Sequence, residues 1–107
     1  MIRMLSIALA LTFSLAHLAY ADTPQEIWKS KCKACHGDDG KAQTKVGLKE
    51  KIPDMTHARW QSEHDDAFIK KTITEGSDDN PKMKPFKDKL SETEIDSLVK
   101  YIRSLKR

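Results

Sequence analysis

The feature that most restricts this chain is the segment Cys32-Lys33-Ala34-Cys35-His36. Two thiols about one helical turn apart can each add to a vinyl group of haem, and the next residue can bring an imidazole beneath the iron. A small chain that is linked to haem in this way has to fold around the ring. The segment therefore predicts one covalently attached haem c, held by Cys32 and Cys35, with His36 as an iron ligand.

Two cysteines at this spacing are also compatible with other chemistry. Cys-x-x-Cys occurs as a redox dithiol, as a disulfide and as half of a zinc site. Because the chain contains only two cysteines, a zinc site would also need His57 and His64, which do not fall at a finger-like spacing. The adjacent histidine and the glycines at Gly37 and Gly40 favour haem.

The N-terminus has the three parts of a secretory signal peptide. Arg3 gives the positive start, an apolar stretch runs from Leu5 to Leu18, and Ala19-Tyr20-Ala21 fits a cleavage site. The apolar stretch is shorter than the roughly 20 residues of a membrane-spanning helix. We therefore expect residues 1–21 to be removed and residues 22–107 to form one small periplasmic domain. An uncleaved anchor is the alternative.

Three helices are predicted in residues 22–107, and no alternating strand pattern is present. The first begins at Thr23, with Glu26 completing a capping box, and the second runs from about Ser62 to Glu75. The third follows the capping box that starts at Ser91, and it carries a stripe of apolar residues at Ile95, Leu98, Val99, Ile102 and Leu105. Long loops in a compact domain usually serve a function. We expect an all-α fold whose loops wrap one covalently bound haem.

A methionine in the second long loop is the best candidate for the sixth iron ligand. Met83 has a proline two residues before it and another two residues after it, and prolines keep a segment out of helix and stiffen it. Met55 is the other methionine outside the signal segment, and we expect it to fill the core. His57 and His64 remain as alternatives. We expect His36 and Met83 to ligate the iron.

Together these motifs resemble those of small bacterial class I cytochromes c with a single haem. The resemblance covers essentially all of residues 22–107 and rests on the haem segment with Gly37, on Met83 with Pro85-Phe86, and on the ending from Glu94 to Leu105. It implies an electron carrier that cycles between Fe(II) and Fe(III) with both axial positions filled, and not an enzyme.

The resemblance also implies positions for three further residues. The first and last helices would cross, with Trp28 near Tyr101. Pro53 would lie beside the haem, its carbonyl near the outer imidazole nitrogen of His36, and Trp60 would lie near a haem propionate. An ordinary core tryptophan is an equally compatible interpretation of Trp60.

Lysines cluster around both predicted ligand segments, and we call this set the lysine surface: Lys29, Lys31, Lys33, Lys82, Lys84, Lys87 and Lys89. Such a surface predicts a redox protein partner with an acidic docking face; a merely solvated surface is the alternative. We expect a monomer that binds no nucleic acid and does not insert stably into membranes. A haem protein with an open sixth site, peroxidase-like or gas-binding, and a membrane-anchored subunit of an oxidase or dehydrogenase complex are the alternative functions.

Overall fold

The computed structural model describes residues 9–12 and 21–107. Most of the predicted signal peptide, at 1–8 and 13–20, lies outside these residues, so its cleavage stays a prediction. Every regular element in the described part is helical, in agreement with the predicted all-α fold. Within those two ranges, no helix is both long and apolar enough to cross a membrane.

The first predicted helix is a continuous helical path that contains a π-helical turn. It consists of α1 (Pro24–Ile27), a π-helical segment (Trp28–Cys32) and α2 (Lys33–His36). The Thr23 hydroxyl accepts a hydrogen bond from the Glu26 N–H at 3.2 Å, as expected of an N-cap. The path ends at Gly37, whose φ of +78° favours glycine. The haem segment therefore forms the C-terminal end of this path.

The prediction of one helix from Ser62 to Glu75 is wrong, because the chain forms two helices here. They are α4 (Ala58–Glu63) and α5 (Asp66–Glu75), separated by His64 in an extended conformation. Asp65, and not Ser62, caps α5 by accepting a hydrogen bond from the Phe68 N–H at 2.8 Å. The guanidinium of Arg103 donates to the His64 carbonyl. That carbonyl is thereby satisfied without a helical partner, so the helical path can break at this point.

The last helix, α6 (Glu92–Ser104), organises the core. Its predicted capping box is complete, since Ser91 and Glu94 exchange both hydrogen bonds. Its apolar stripe is buried against α1 and α5, and Trp28 contacts Tyr101 with ring centroids 5.3 Å apart, as predicted. The core consists of Ile27, Trp28, Met55, Ile69, Ile73, Leu90, Ile95, Leu98, Val99 and Ile102.

The first long loop contains one further short helix, α3 (Lys45–Lys49). It ends in a Schellman motif, in which the Ile52 N–H donates to the Gly47 carbonyl at 3.0 Å. Lys51 occupies the left-handed position of this motif with a φ of +54°. The motif turns the chain sharply after α3 and sets the path of the following segment.

Candidate haem site

The haem segment carries its two thiols on one helical path. Cys32 is the last residue of the π-helical segment, and Cys35 lies in α2 about one turn further on. Both are half-buried, and neither forms a disulfide. Burial raises the pKa of the Cys32 thiol to about 11, although Lys31 lowers it.

His36 completes the donor set. Among the described residues its Nδ1 is a buried atom without a hydrogen-bond partner, which is uncommon in a folded protein. Burial lowers the pKa of His36, so the imidazole is neutral at neutral pH, which is the form that ligates a metal. Free thiols one turn apart, followed by a neutral imidazole, are the groups that covalent haem attachment requires. The residues present therefore fit haem c.

The hydrogen bond expected between His36 and the Pro53 carbonyl is not formed in this structure, since Nδ1 has no partner in the described part of the chain. The physical reason lies in the segment that carries Pro53. Its two ends are fixed by the Schellman bond of Ile52 and by the Met55 N–H, which donates to the Gly40 carbonyl at 3.0 Å. Pro53 is exposed between them. A contact of Pro53 with the cofactor itself stays a prediction.

Met83 lies in the loop between α5 and α6, half-buried, with its side chain against the core. Its carbonyl accepts a hydrogen bond from the Ser77 N–H at 3.1 Å, and its N–H donates to the Asn80 carbonyl at 3.1 Å. A Cβ on Gly76 would lie 2.8 Å from the Met83 carbonyl oxygen, so only glycine permits this approach. The Met83 segment is therefore held tightly to the end of α5.

Glu50 connects the Met83 loop to the first long loop, which the sequence did not indicate. Its carboxylate forms an ion pair with the Lys82 ammonium and accepts a hydrogen bond from the Asn80 side-chain amide at 3.3 Å. The Asn80 side-chain oxygen in turn accepts from the Lys82 N–H at 3.0 Å. The hydrogen bond from Lys82 is the main cause that lowers the pKa of Glu50. Asn80 and Lys82, which both precede Met83 in the loop, are thus anchored to the residue that follows α3.

A second missed feature joins α3 to the haem segment. The Thr44 hydroxyl donates to the Cys35 carbonyl at 2.9 Å and accepts from the Gly47 N–H at 2.9 Å. A Cβ on Gly47 would lie 2.2 Å from the Ala42 carbonyl oxygen and 2.7 Å from that of Cys35. Thr44 was recognisable as a helix-capping residue, but its bond to Cys35 spans nine residues and has no local signal.

Trp28 also supports the haem segment. Its indole N–H donates to the Gly37 carbonyl at 2.9 Å in a buried position. The ring also lies 5.8 Å from the His36 ring, centroid to centroid. Trp28 therefore fixes the backbone directly after His36 and limits where the imidazole can lie.

Trp60 is half-buried in α4, where its ring stacks on His64 at a centroid distance of 4.7 Å. The His64 Nδ1 lies 2.9 Å from the Trp60 carbonyl oxygen, and the Phe68 ring is tilted against the imidazole at a centroid distance of 4.8 Å. His64, one of the alternative iron ligands, is therefore half-buried and engaged in contacts with its neighbours on α4 and α5. The role of Trp60 beside a propionate stays a prediction.

The other candidate iron ligands have structural roles. Met55 is 6% exposed and belongs to the core, as predicted. The His57 Nδ1 accepts a hydrogen bond from the Arg59 N–H at 3.2 Å and caps α4. Met55 and His57 thus already have structural roles, whereas the Met83 side chain is half-buried at the edge of the core.

Two members of the lysine surface are paired with acidic side chains. Lys82 pairs with Glu50, and Lys33 lies 3.4 Å from Asp38. All seven are exposed, and five of them form no ion pair within the described part of the chain: Lys29, Lys31, Lys84, Lys87 and Lys89. The surface is therefore less positive than the sequence suggested, and its charge is carried mainly by these five residues.

Comparison with known proteins identifies the family. Residues 19–102 match the family described as cytochrome C oxidase, cbb3-type, subunit III. The cbb3-type cytochrome c oxidase subunit FixP of Azorhizobium caulinodans is 34% identical over 97 residues, covering 86% of this chain and 31% of FixP. Subunit CcoP of Azospirillum brasilense is 28% identical over 87 residues, covering 81% of this chain and 29% of CcoP. The chain thus spans about a third of the length of these relatives.

A solved structure agrees with this assignment. The c-type cytochrome KustC0563 superimposes with a TM-score of 0.72 at 33% sequence identity, covering 80% of this chain and all of that chain. A tyrosine-to-phenylalanine mutant of the same protein gives a TM-score of 0.69 at 34% identity, covering 79% of this chain and all of the mutant chain. The helical fold, the donor set of the haem segment and these matches agree: the chain belongs to the cbb3-type subunit III family and is a small single-haem class I c-type cytochrome with haem c as its cofactor.

Proposed function

We propose that this chain is an exported electron carrier in which Cys32 and Cys35 hold haem c through thioether bonds. His36 and Met83 are the two axial ligands. The bound cofactor supplies one-electron chemistry between Fe(II) and Fe(III), and methionine–histidine ligation raises its potential. The observation that carries this proposal is the haem segment, with two free half-buried thiols and a neutral imidazole on one helical path.

The surrounding residues hold these groups in place. Trp28 and Thr44 fix the backbone at Gly37 and Cys35 respectively, so the imidazole needs little reorganisation when the iron changes charge. Met83 is supplied by a loop that is bonded to the end of α5. Pro53 and Trp60 are proposed to contact the ring. With both axial positions filled, a substrate has no open position at the iron.

The axial assignment is tested by Met83→Ala, with Met55→Ala as the matched control. A methionine ligand gives ferric class I cytochromes a weak charge-transfer band at the far-red end of the visible spectrum. Met83→Ala should abolish this band, lower the reduction potential and admit external ligands, whereas Met55→Ala should keep the band and lose stability. A band that survives in Met83→Ala and disappears in Met55→Ala contradicts the assignment.

The covalent link is tested by acid-acetone extraction. The haem should stay on the wild-type polypeptide, and both Cys32→Ala and Cys35→Ala should weaken its retention, because each loses one thioether bond. Ser97→Ala is a control that keeps both thiols, since the Ser97 hydroxyl bonds only to the Thr93 carbonyl within α6. Free release of haem from the wild-type protein contradicts the thioether proposal.

Five exposed lysines of the lysine surface support a redox partner with an acidic docking face. Neutralising Lys84 and Lys87 to glutamine should slow association with an acidic redox protein at low salt and have little effect at high salt. The reason is that salt screens exposed charges beyond about 8 Å at physiological ionic strength. Lys100→Gln with Lys106→Gln removes two exposed charges outside the lysine surface and is the control. Equal rates for both double variants at low salt contradict this docking surface.

A second candidate function is a subunit of a membrane-bound oxidase, favoured by the cbb3-type oxidase subunits among the relatives. The two candidates differ in the N-terminus. A periplasmic carrier has lost residues 1–21, whereas an anchored subunit retains them. The mass of the protein isolated from the periplasmic and membrane fractions separates the two: the mass of residues 22–107 plus one haem, found in the periplasm, supports the carrier.

A further inference from the structure

Two segments that are far apart in sequence carry the proposed ligands, and Glu50 joins them. The haem segment ends at His36, and Met83 lies in the loop that begins after α5. Glu50 and Lys82 are 32 residues apart in sequence, yet their side chains form an ion pair. The Glu50 carboxylate also reaches the Asn80 amide. One acidic side chain therefore links the loop that precedes Met83 to the segment that follows α3.

The base of this link is rigid. Glu50 caps the C-terminus of α3, and the Schellman motif at this end of the helix fixes its backbone. α3 itself is fastened to the haem segment, because Thr44 bonds to the Cys35 carbonyl and Gly47 allows direct backbone contact. The Glu50 side chain is only 19% exposed, whereas that of its partner Lys82 is 58% exposed. Glu50 is thus the fixed partner, and Lys82 is drawn to it.

The tip of the link lies next to Met83. Asn80 accepts the Met83 N–H at its carbonyl and the Lys82 N–H at its side-chain oxygen, while its amide donates to Glu50. A movement of Asn80 would therefore break the backbone bond of Met83. Bonds on the other side hold Met83 to Ser77. Glu50 thus connects the Met83 loop to α3, which is itself bonded to the haem segment.

We propose that Glu50 is a positioning residue that keeps the Met83 loop closed and thereby sets how often the methionine sulfur leaves the iron. This inference rests on the proposed axial role of Met83. Neither Glu50 nor Asn80 touches the iron in this view. They act through the backbone that carries the ligand, as supporting residues around metal sites commonly do.

The test measures how fast imidazole binds to the ferric protein, because an external ligand can enter only while the sulfur is away. Glu50→Gln keeps an acceptor for Asn80 but removes the charge that attracts Lys82, and Glu50→Ala removes both contacts. We expect the imidazole-binding rate to rise about two- to fivefold in Glu50→Gln, the range expected from losing one partly exposed ion pair. It should rise further in Glu50→Ala. The far-red band should persist in both variants, because Met83 still binds the iron for most of the time.

The matched control is Glu63→Gln, which removes the exposed ion pair with Arg59 inside α4 and should leave the rate unchanged. Lys82→Gln should raise the rate as Glu50→Gln does, and the double variant should add nothing to either. Equal rates in wild type and in both Glu50 variants overturn the proposal, and so does an equal rise in Glu63→Gln. Met83→Ala separates the two proposals. If it keeps the band, the axial assignment fails; if it loses the band while both Glu50 variants stay at the wild-type rate, only the role of Glu50 fails.

Discussion

Replacing Gly47 by alanine tests the contact between α3 and the haem segment, because two physical effects predict opposite signs. Gly47 is a helical residue without a positive φ. Helix propensity alone therefore predicts that alanine stabilises the protein by about 0.5–1 kcal/mol. The structure predicts the opposite. A Cβ at this position would lie 2.2 Å from the Ala42 carbonyl oxygen and 2.7 Å from that of Cys35.

Both atoms in this clash belong to the backbone, so no side-chain rotation relieves it, and α3 itself has to move away. Overpacking of this kind costs roughly 1–3 kcal/mol, and the rigid neighbours favour the upper part of that range. After the propensity gain is subtracted, we expect a net destabilisation of about 1–2 kcal/mol. For a domain of this size, this lowers the melting temperature by about 5–15 °C.

The assay is thermal and urea unfolding of the haem-loaded protein, followed by helical circular dichroism. Lys49→Ala is the matched control, because it changes an exposed residue of the same helix and should stay within about 0.5 kcal/mol of wild type. The reasoning is refuted if Gly47→Ala is as stable as wild type or more stable. That result would mean that α3 does not press against the Cys35 carbonyl.

Two further predictions concern bonds that fix neighbouring parts of the site. Trp28→Phe keeps the aromatic ring but removes the buried donor to the Gly37 carbonyl, so urea unfolding should show a loss of about 1–3 kcal/mol; Tyr101→Phe keeps the ring contact and should be nearly neutral, and equal effects of both would contradict this role. The pKa of the Asp54 carboxyl is lowered from its usual 3.8. Burial alone would raise this pKa, but hydrogen bonds from the Thr56 hydroxyl and N–H outweigh burial. The stability advantage of wild type over Asp54→Asn should therefore be complete above about pH 4 and disappear as pH falls through the lowered pKa; a pH-independent difference between their urea midpoints would count against it.

Local bonds explain what was predictable from the sequence. The N-cap at Thr23 and the capping box of Ser91 and Glu94 are formed within three residues along the chain, so the residue order alone specifies them. The donor set of the haem segment is likewise contained in five consecutive residues. The apolar stripe of α6 follows from helical periodicity. These features fixed the helical class, the cofactor and the family.

Contacts between distant residues account for what the sequence did not predict. The break between α4 and α5 depends on Arg103, which bonds to the His64 carbonyl across 39 residues. A periodic pattern cannot show such a bond, so the sequence predicted one helix in place of two. The absence of the expected hydrogen bond between His36 and Pro53 also depends on contacts between distant residues. The turn after α3 and the bond of Met55 to Gly40 determine where Pro53 lies.

The residue order by itself predicted which groups would hold the cofactor, since attachment chemistry depends on spacing along one helical path. Only the tertiary structure decided how those groups are held. Gly47 has ordinary helical dihedrals and Glu50 is one of 16 acidic residues, so neither carries a local signal. Their importance arises because α3 approaches the haem segment and the Met83 loop approaches Glu50. Such proximity is a property of the folded chain, created by packing between segments that the sequence keeps apart.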